Sequence, residues 1–194
     1  MQVVIIDYGA GNVRSVQFAL ERVGIQAKLT NDLETIRDAD RIIFPGQGAA
    51  SSAMLKLRQC GLDQLLPQLK QPLLGICLGM QLLFESSAEG DTQGLGIISG
   101  QVKRFTQGKI PQMGWNTIAQ LKGPLFNKIP ESAYMYLVHS YYAPLVSETI
   151  ATANYGIPYT VAVQKDNFFG VQFHPEKSSK AGQQLLENFM QLSL

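Results

Sequence analysis

Apolar and polar positions fall into short blocks along the first half of the chain, and the period of the pattern changes from block to block. Val3-Val4-Ile5-Ile6 is an unbroken β-branched run, the pattern of a parallel strand buried on both faces. Beyond it, Val13, Val16, Phe18, Leu20 and Val23 mark the apolar face of a helix, with Asn12 as its N-cap and Gly24 as its C′ stop. Ala27 to Thr30 reads as a second strand and Leu33 to Asp38 as a short helix. Arg41-Ile42-Ile43-Phe44 is a third strand, closed by Pro45-Gly46-Gln47-Gly48, and a helix follows through about Leu57. Leu73-Leu74-Gly75-Ile76 is a fourth strand, and Met80 to Phe84 opens another helix.

The second half changes character. Strand-like segments follow one another at Ile97 to Val102, Thr117 to Leu121, Tyr134 to Val138 and Thr149 to Ala153, separated by Gly, Pro and Asn. Phe168 to Phe173 is a last aromatic strand, and Lys165-Asp166-Asn167 before it is a hairpin turn. An amphipathic helix from roughly Ala181 to Leu192 closes the chain. Strands separated by helices predict an α/β fold of the flavodoxin-like kind. Its sheet is open and mostly parallel, flanked by helices, with additional antiparallel strands in the C-terminal half. No repeat, low-complexity tract or linker interrupts it, so a single domain over residues 1–194 is expected.

Composition narrows the function. With 194 residues and 45% hydrophobic content, the chain can bury one substantial core. Sixteen Lys and Arg balance fifteen Asp and Glu, which gives no reason to expect a nucleic-acid partner. The N-terminal apolar run is too short to span a bilayer and lacks a charged leader, so neither a signal sequence nor a membrane association is expected. Two cysteines make no disulfide framework, and a cytoplasmic, reducing setting is expected.

One of those cysteines lies in Gly75-Ile76-Cys77-Leu78-Gly79. This is the cysteine form of a nucleophile elbow, between an apolar strand and a helical pattern. The flanking glycines let backbone approach backbone at a sharp turn. The turn lifts the thiol off the sheet toward a helix start, where positive partial charge favours thiolate. The Leu78 N–H points the same way and can hold an oxyanion. Most free cysteines are buried and inert, and Cys60, with no strand before it, is read as one of these.

A nucleophilic thiol in acyl transfer needs a base, and the base needs an orienting acid. His174 and Glu176 stand two apart in Phe173-His174-Pro175-Glu176, so they face one side of an extended segment. A surface His–Glu pair is common, but an elbow cysteine upstream changes its meaning. Cys77, His174 and Glu176 are the expected catalytic triad. His139 is the rival base and has no carboxylate near it in sequence.

With these motifs in place the sequence resembles the class I, or triad, glutamine amidotransferases. More narrowly, it resembles the glutaminase subunits of imidazole glycerol phosphate synthases of histidine biosynthesis. The resemblance covers essentially the whole chain. It rests on Asp7-Tyr8-Gly9-Ala10-Gly11-Asn12, Pro45-Gly46-Gln47-Gly48-Ala49, the elbow with Met80-Gln81, Pro111-Gln112-Met113-Gly114-Trp115-Asn116, Val138-His139-Ser140-Tyr141-Tyr142 and His174-Pro175-Glu176-Lys177-Ser178. It implies hydrolysis of glutamine through a cysteine thioester, with release of ammonia. It also implies an oxyanion hole at Gly46, Gln47, Gly48 and Leu78, and glutamine binding by Gln81, Glu89, Ser140 and Tyr141. Where the family usually carries a small apolar residue, this chain has Gln47. Gly46, free in its backbone angles, is expected to be the pivot if the oxyanion peptide turns.

The chain has no room for a synthase domain that would consume the ammonia. The resemblance implies a separate cyclase subunit, a (β/α)8 barrel, meeting a face formed by Asn12, Met113, Trp115, Asn116 and Lys177. Core packing competes for Met113 and Trp115. No cofactor or metal is expected. There is no Walker-type loop or zinc-type spacing, and Arg14 occupies the third glycine position of the dinucleotide fingerprint begun by Gly9 and Gly11. Three rivals remain: the glutaminase of an anthranilate or pyridoxal phosphate system, a stand-alone γ-glutamyl hydrolase, and a non-catalytic flavodoxin-like binding module.

Overall fold

The computed structural model describes residues 1–192. Its elements in chain order are β1 (Val3–Ile6), α1 (Val13–Arg22), β2 (Ala27–Thr30), α2 (Leu33–Arg37), β3 (Arg41–Gly46), α3 (Ala50–Gln59), α4 (Leu62–Leu65), β4 (Leu73–Cys77) and α5 (Leu78–Gln81). Then follow β5 (Phe84–Ser87), β6 (Thr92–Gln93), β7 (Ile98–Arg104), β8 (Gln112–Thr117), β9 (Tyr134–His139), β10 (Tyr141–Tyr142), β11 (Thr149–Asn154), β12 (Pro158–Lys165), β13 (Phe168–Val171) and α6 (Ser179–Met190).

Seven strands form the main sheet in the order β11-β12-β13-β4-β3-β1-β2. The run from β13 to β2 is parallel, and β12 pairs antiparallel with both of its neighbours. Its β-branched strands are buried on both faces. Val3 and Ile5 join Leu20, Leu185 and Phe189 on one side, while Val4 and Ile6 join Leu57, Leu62 and Leu66 on the other. That double burial is why the strands read as continuous apolar runs. A four-stranded sheet, β10-β7-β5-β6, and a β8–β9 ribbon complete the architecture. No helix among the described residues is long and apolar enough to cross a membrane.

Local expectations hold at α1. The Asn12 side chain accepts from Ser15 N, and Gly24 takes a left-handed φ of 78° past the last turn. Two assignments are corrected. The helix after the elbow is a single turn, Leu78–Gln81, and Phe84 begins a strand. Carbonyls of Leu82, Leu83 and Phe84 are taken by the N–H groups of Leu95, Gly96, Ile97 and Ile98, so no helical ladder can continue. The segment from Thr117 to Leu121 is not a strand beyond Thr117. Gln120 sits at φ 57°, and the N–H groups of Gln120 and Leu121 donate to the Glu131 carboxylate rather than to a ladder.

Candidate active site

The C-terminal edge of a parallel sheet, at the point where strand order reverses, is where ligands bind in open α/β folds. Here the segments leaving β1, β3, β4 and β13 meet around a cavity of about 270 Å³, close to the lower end of the ~300–1,000 Å³ range for small-molecule sites.

Cys77 ends β4 at φ 55°, a strained angle for a side chain of any size, and α5 begins at the next residue. Glycines make the turn possible. A Cβ on Gly79 would lie 2.0 Å from the Phe44 carbonyl oxygen, one on Gly75 2.8 Å from Gly79 backbone, and one on Gly46 2.6 Å from Gly79 N. Gly46 is therefore glycine because β3 and the elbow touch, and its register with Cys77 holds it in the sheet. Gly48 differs, with φ 92° and nothing within 4 Å of a built Cβ. The backbone freedom expected at Gly46 belongs instead to Gly48. Gln47 and Gly48 line the cavity beside Leu78.

His174 follows β13 in extended geometry, and Pro175 begins a 3-10 turn that brings Glu176 back under the ring. His174 Nδ1 and Glu176 Oε1 lie 2.8 Å apart with the side chains 10% and 1% exposed. Nε2 and Glu176 Oε2 are buried without a hydrogen bond. Burial alone would lower the His174 pKa. Hydrogen bonding and charge from Cys77 and Glu176 outweigh it and hold the value up at about 10. No well-aligned hydrogen bond yet joins the ring to the sulfur. Cys77 Sγ instead contacts the Val138 carbonyl at 3.9 Å and Gln172 Nε2 at 3.7 Å.

Backbone clamps fix the histidine. Its N–H donates to Tyr136 O at 2.9 Å, and the Ser178 hydroxyl donates to His174 O at 2.6 Å while accepting from Tyr136 N at 2.9 Å. Gly182 lets α6 press on Pro175, whose carbonyl oxygen would stand 2.0 Å from any Cβ there.

The rival His139 also lines the cavity but has neither nitrogen free. Nδ1 donates to Tyr141 O at 2.7 Å, and Nε2 lies 3.3 Å from the Tyr159 hydroxyl. Burial drives its pKa down to about 4, so the ring stays neutral.

Gln81, Glu89, Ser140 and Tyr141 all reach the same cavity. Both N–H groups of the Gln81 amide are engaged, with Tyr141 O at 3.0 Å and Gln172 Oε1 at 2.8 Å, leaving its oxygen for a ligand. Glu89 Oε2 accepts from Ala50 N at 2.8 Å. Gln172, fully buried between Gln81 and Cys77, is a site residue that the motifs do not reveal. The available signal is an amide inside an otherwise apolar strand, two residues before the histidine.

The expected partner residues divide. Met113 and Trp115 are 66% and 52% exposed on the same face of β8, so neither is core. Trp115 stands edge-on to Tyr136, and Lys177 Nζ lies 5.7 Å above that ring. Asn12 and Lys177 are exposed at the cavity rim. Asn116 is half-buried with its amide engaged by backbone, donating to Asn154 O at 3.0 Å and accepting from Thr117 N at 2.8 Å.

Geometry of this kind serves one class of chemistry, attack of sulfur on an acyl or amide carbon with imidazole managing the protons. The family model for glutamine amidotransferase class-I matches residues 4–192, and the chain belongs to that family. Curated relatives are more particular. The imidazole glycerol phosphate synthase subunit HisH of Bacteroides fragilis (strain YCH46) is 47% identical over 196 residues, covering 99% of this chain and 100% of that one. The subunit of the same name from Yersinia pseudotuberculosis is 48% identical over 196 residues, covering 99% of this chain and 100% of the relative. The crystal structure of a glutamine amidotransferase shares the fold, with a TM-score of 0.76 at 21% identity over 96% of this chain and 96% of its own.

Proposed function

We propose that this chain is the glutaminase subunit of an imidazole glycerol phosphate synthase. It hydrolyses glutamine to glutamate and ammonia and passes the ammonia to a separate cyclase, a (β/α)8 barrel. That partner forms imidazole glycerol phosphate and AICAR in histidine biosynthesis. The observation that carries the reading is Cys77 on its glycine-packed elbow beside the buried His174–Glu176 pair, in a chain nearly half identical to such subunits from end to end.

The Cys77 thiolate adds to the side-chain amide carbon of glutamine. The developing oxyanion takes the Leu78 N–H and a peptide N–H of the Gly46-Gln47-Gly48 segment. Protonated His174 gives its proton to the nitrogen, which leaves as ammonia, and a glutamyl thioester remains. The neutral ring then takes a proton from water, the hydroxide adds to the thioester, and glutamate departs as the C–S bond breaks. Glu176 orients the ring and favours its charged state. Gln81, Glu89, Ser140 and Tyr141 hold the amino-acid head group. Met113, Trp115, Lys177 and Asn12 meet the partner, while Asn116 stiffens the β8 strand behind them. A free thiol nucleophile suits a reducing cytoplasm.

Co-purification with the cyclase, then assay of the complex with glutamine or with ammonia, tests the proposal. Cys77→Ser is expected to abolish glutamine-dependent synthesis and spare the ammonia-dependent reaction. A mutant complex that assembles normally but fails with ammonia as well would refute the division of labour.

A further inference from the structure

Two buried amides connect the cavity wall to the nucleophile, and the backbone fixes which way each one faces. The Tyr141 carbonyl can only accept, so the Gln81 atom 3.0 Å from it is nitrogen. That same nitrogen lies 2.8 Å from the Gln172 side chain, whose contacting atom must then be oxygen. The far end of the Gln172 amide is therefore its NH2 group, and it points at Cys77 Sγ, 3.7 Å away. Gln172 has no room to turn over. It is completely buried, its backbone N–H donates to Val161 O at 2.8 Å, and it directly follows Val171, which pairs with Ile76 beside the nucleophile. A carbonyl also approaches the sulfur, Val138 O at 3.9 Å, which suits an S–H and repels a thiolate.

We propose that Gln172 is a fourth catalytic residue, a fixed N–H donor to the sulfur that favours the thiolate both before attack and when sulfur leaves the thioester. The proposal rests on the reading of Cys77 as the nucleophile. In the first step the S–H proton goes to His174 and the sulfur electron pair is held by the Gln172 N–H. In the last step the C–S bonding pair returns to sulfur and meets the same donor. Anchoring by Gln81 also ties the donor to the glutamine-binding wall, so ligand contact at the free Gln81 oxygen is transmitted to the thiolate through two hydrogen bonds. Donors to a charged acceptor are stronger than neutral ones, and the surrounding burial raises their weight.

The test is the pH dependence of Cys77 alkylation by iodoacetamide in the full chain, with peptide mapping to separate Cys60. Gln172→Met removes the donor at nearly constant volume, and Gln172→Glu turns a carboxylate toward the sulfur. His174 with its partner Glu176, Tyr8, His139 and Tyr141, with Glu89 and Lys177 across the cavity, are the other titratable groups around the thiol and are left untouched. The midpoint of alkylation is expected to move up by about one pH unit in Gln172→Met, an energy near 1.4 kcal/mol, and further in Gln172→Glu. In the complex, kcat should fall about tenfold with a smaller change in KM. A folded Gln172→Met chain with an unmoved midpoint would overturn the proposal and leave Gln172 a packing residue. If the Met variant does not fold, Gln172→Glu, whose shape is native, decides between the same two outcomes. Labelling of the unaltered chain by a glutamine-mimicking electrophile separates the two readings. If Cys77 is not modified there, the nucleophile assignment itself is wrong.

Discussion

The cavity has one wall that is jammed and one that is empty, and both are made with glycine. On the jammed wall, Gly46, Gly75 and Gly79 exist because β3, β4 and the elbow lie closer than any side chain permits. On the empty wall, Gly48 has open space around it and a backbone angle that other residues rarely adopt. The same residue type thus does opposite work, holding the Cys77 elbow still in one place and leaving the Gln47-Gly48 segment adaptable in the other. Such an arrangement suits the glutaminase proposed above: a fixed sulfur and an adjustable electrophile site.

The comparison breaks first at Gly79. Gly79→Ala sets a methyl against the Phe44 carbonyl, and backbone cannot step aside as a side chain can. Urea denaturation should show a loss of at least about 3 kcal/mol, or no folded protein. A variant that melts within a few degrees of the parent would show that the jammed wall has slack.

Gly48→Ala should do the reverse. The fold should survive, with about 1–3 kcal/mol of backbone strain. The partner-stimulated glutaminase rate should fall about 100-fold as one oxyanion donor is mispositioned. An unchanged rate would mean that the hole is preformed elsewhere. Gly46→Ala cannot address this question, since its clash with Gly79 N would disturb the elbow itself.

A third test concerns the fixed side. Glu176→Gln removes a charge that helps hold the His174 pKa at about 10. The histidine's contribution to stability is fully present below its unperturbed 6.5 and is lost as pH rises through about 10, because its folded pKa is the raised one. Activity is expected to share this alkaline limit, since in the proposed mechanism the leaving nitrogen needs the imidazolium proton. In Glu176→Gln, kcat at saturating glutamine should drop about tenfold and its alkaline limb should move to lower pH. An unmoved limb would assign the proton to another group. The smallest effect belongs to Gln47→Val, whose side chain is exposed and whose peptide N–H is unchanged. A change of less than about threefold in the stimulated rate is expected, and a larger one would give the side chain a role.

Legibility in the sequence follows the same physical divide. The parallel strands and the elbow can be read because burial on both faces leaves unbroken apolar runs between glycines. Strand β8 cannot, because its pattern is inverted: Met113 and Trp115 face outward while Gln112 is buried. Strand β12 is implied by the turn at Lys165-Asp166-Asn167, since a hairpin needs a strand on each side, yet its core of Thr160 to Val163 carries no signal strong enough to mark it alone. Leu82-Leu83-Phe84 reads as helix because a short apolar run fits either element until its hydrogen-bond partners are known. The elbow around Cys77 and the paired His174 and Glu176, proposed above as the triad, are legible from local spacing. Gln172 is not, because its meaning depends on β13 lying beside β4, a neighbour ninety-five positions earlier in the chain.

The chain has a single tryptophan, and it stands half in water on the outer face of the β8–β9 ribbon, edge-on to Tyr136. Its ultraviolet emission therefore comes chiefly from one fixed point on the surface proposed for docking. When that face is covered, the indole leaves water and its spectrum should move to shorter wavelength. The association could then be followed in real time with no dye attached, and a barrel partner free of tryptophan would make the signal unambiguous.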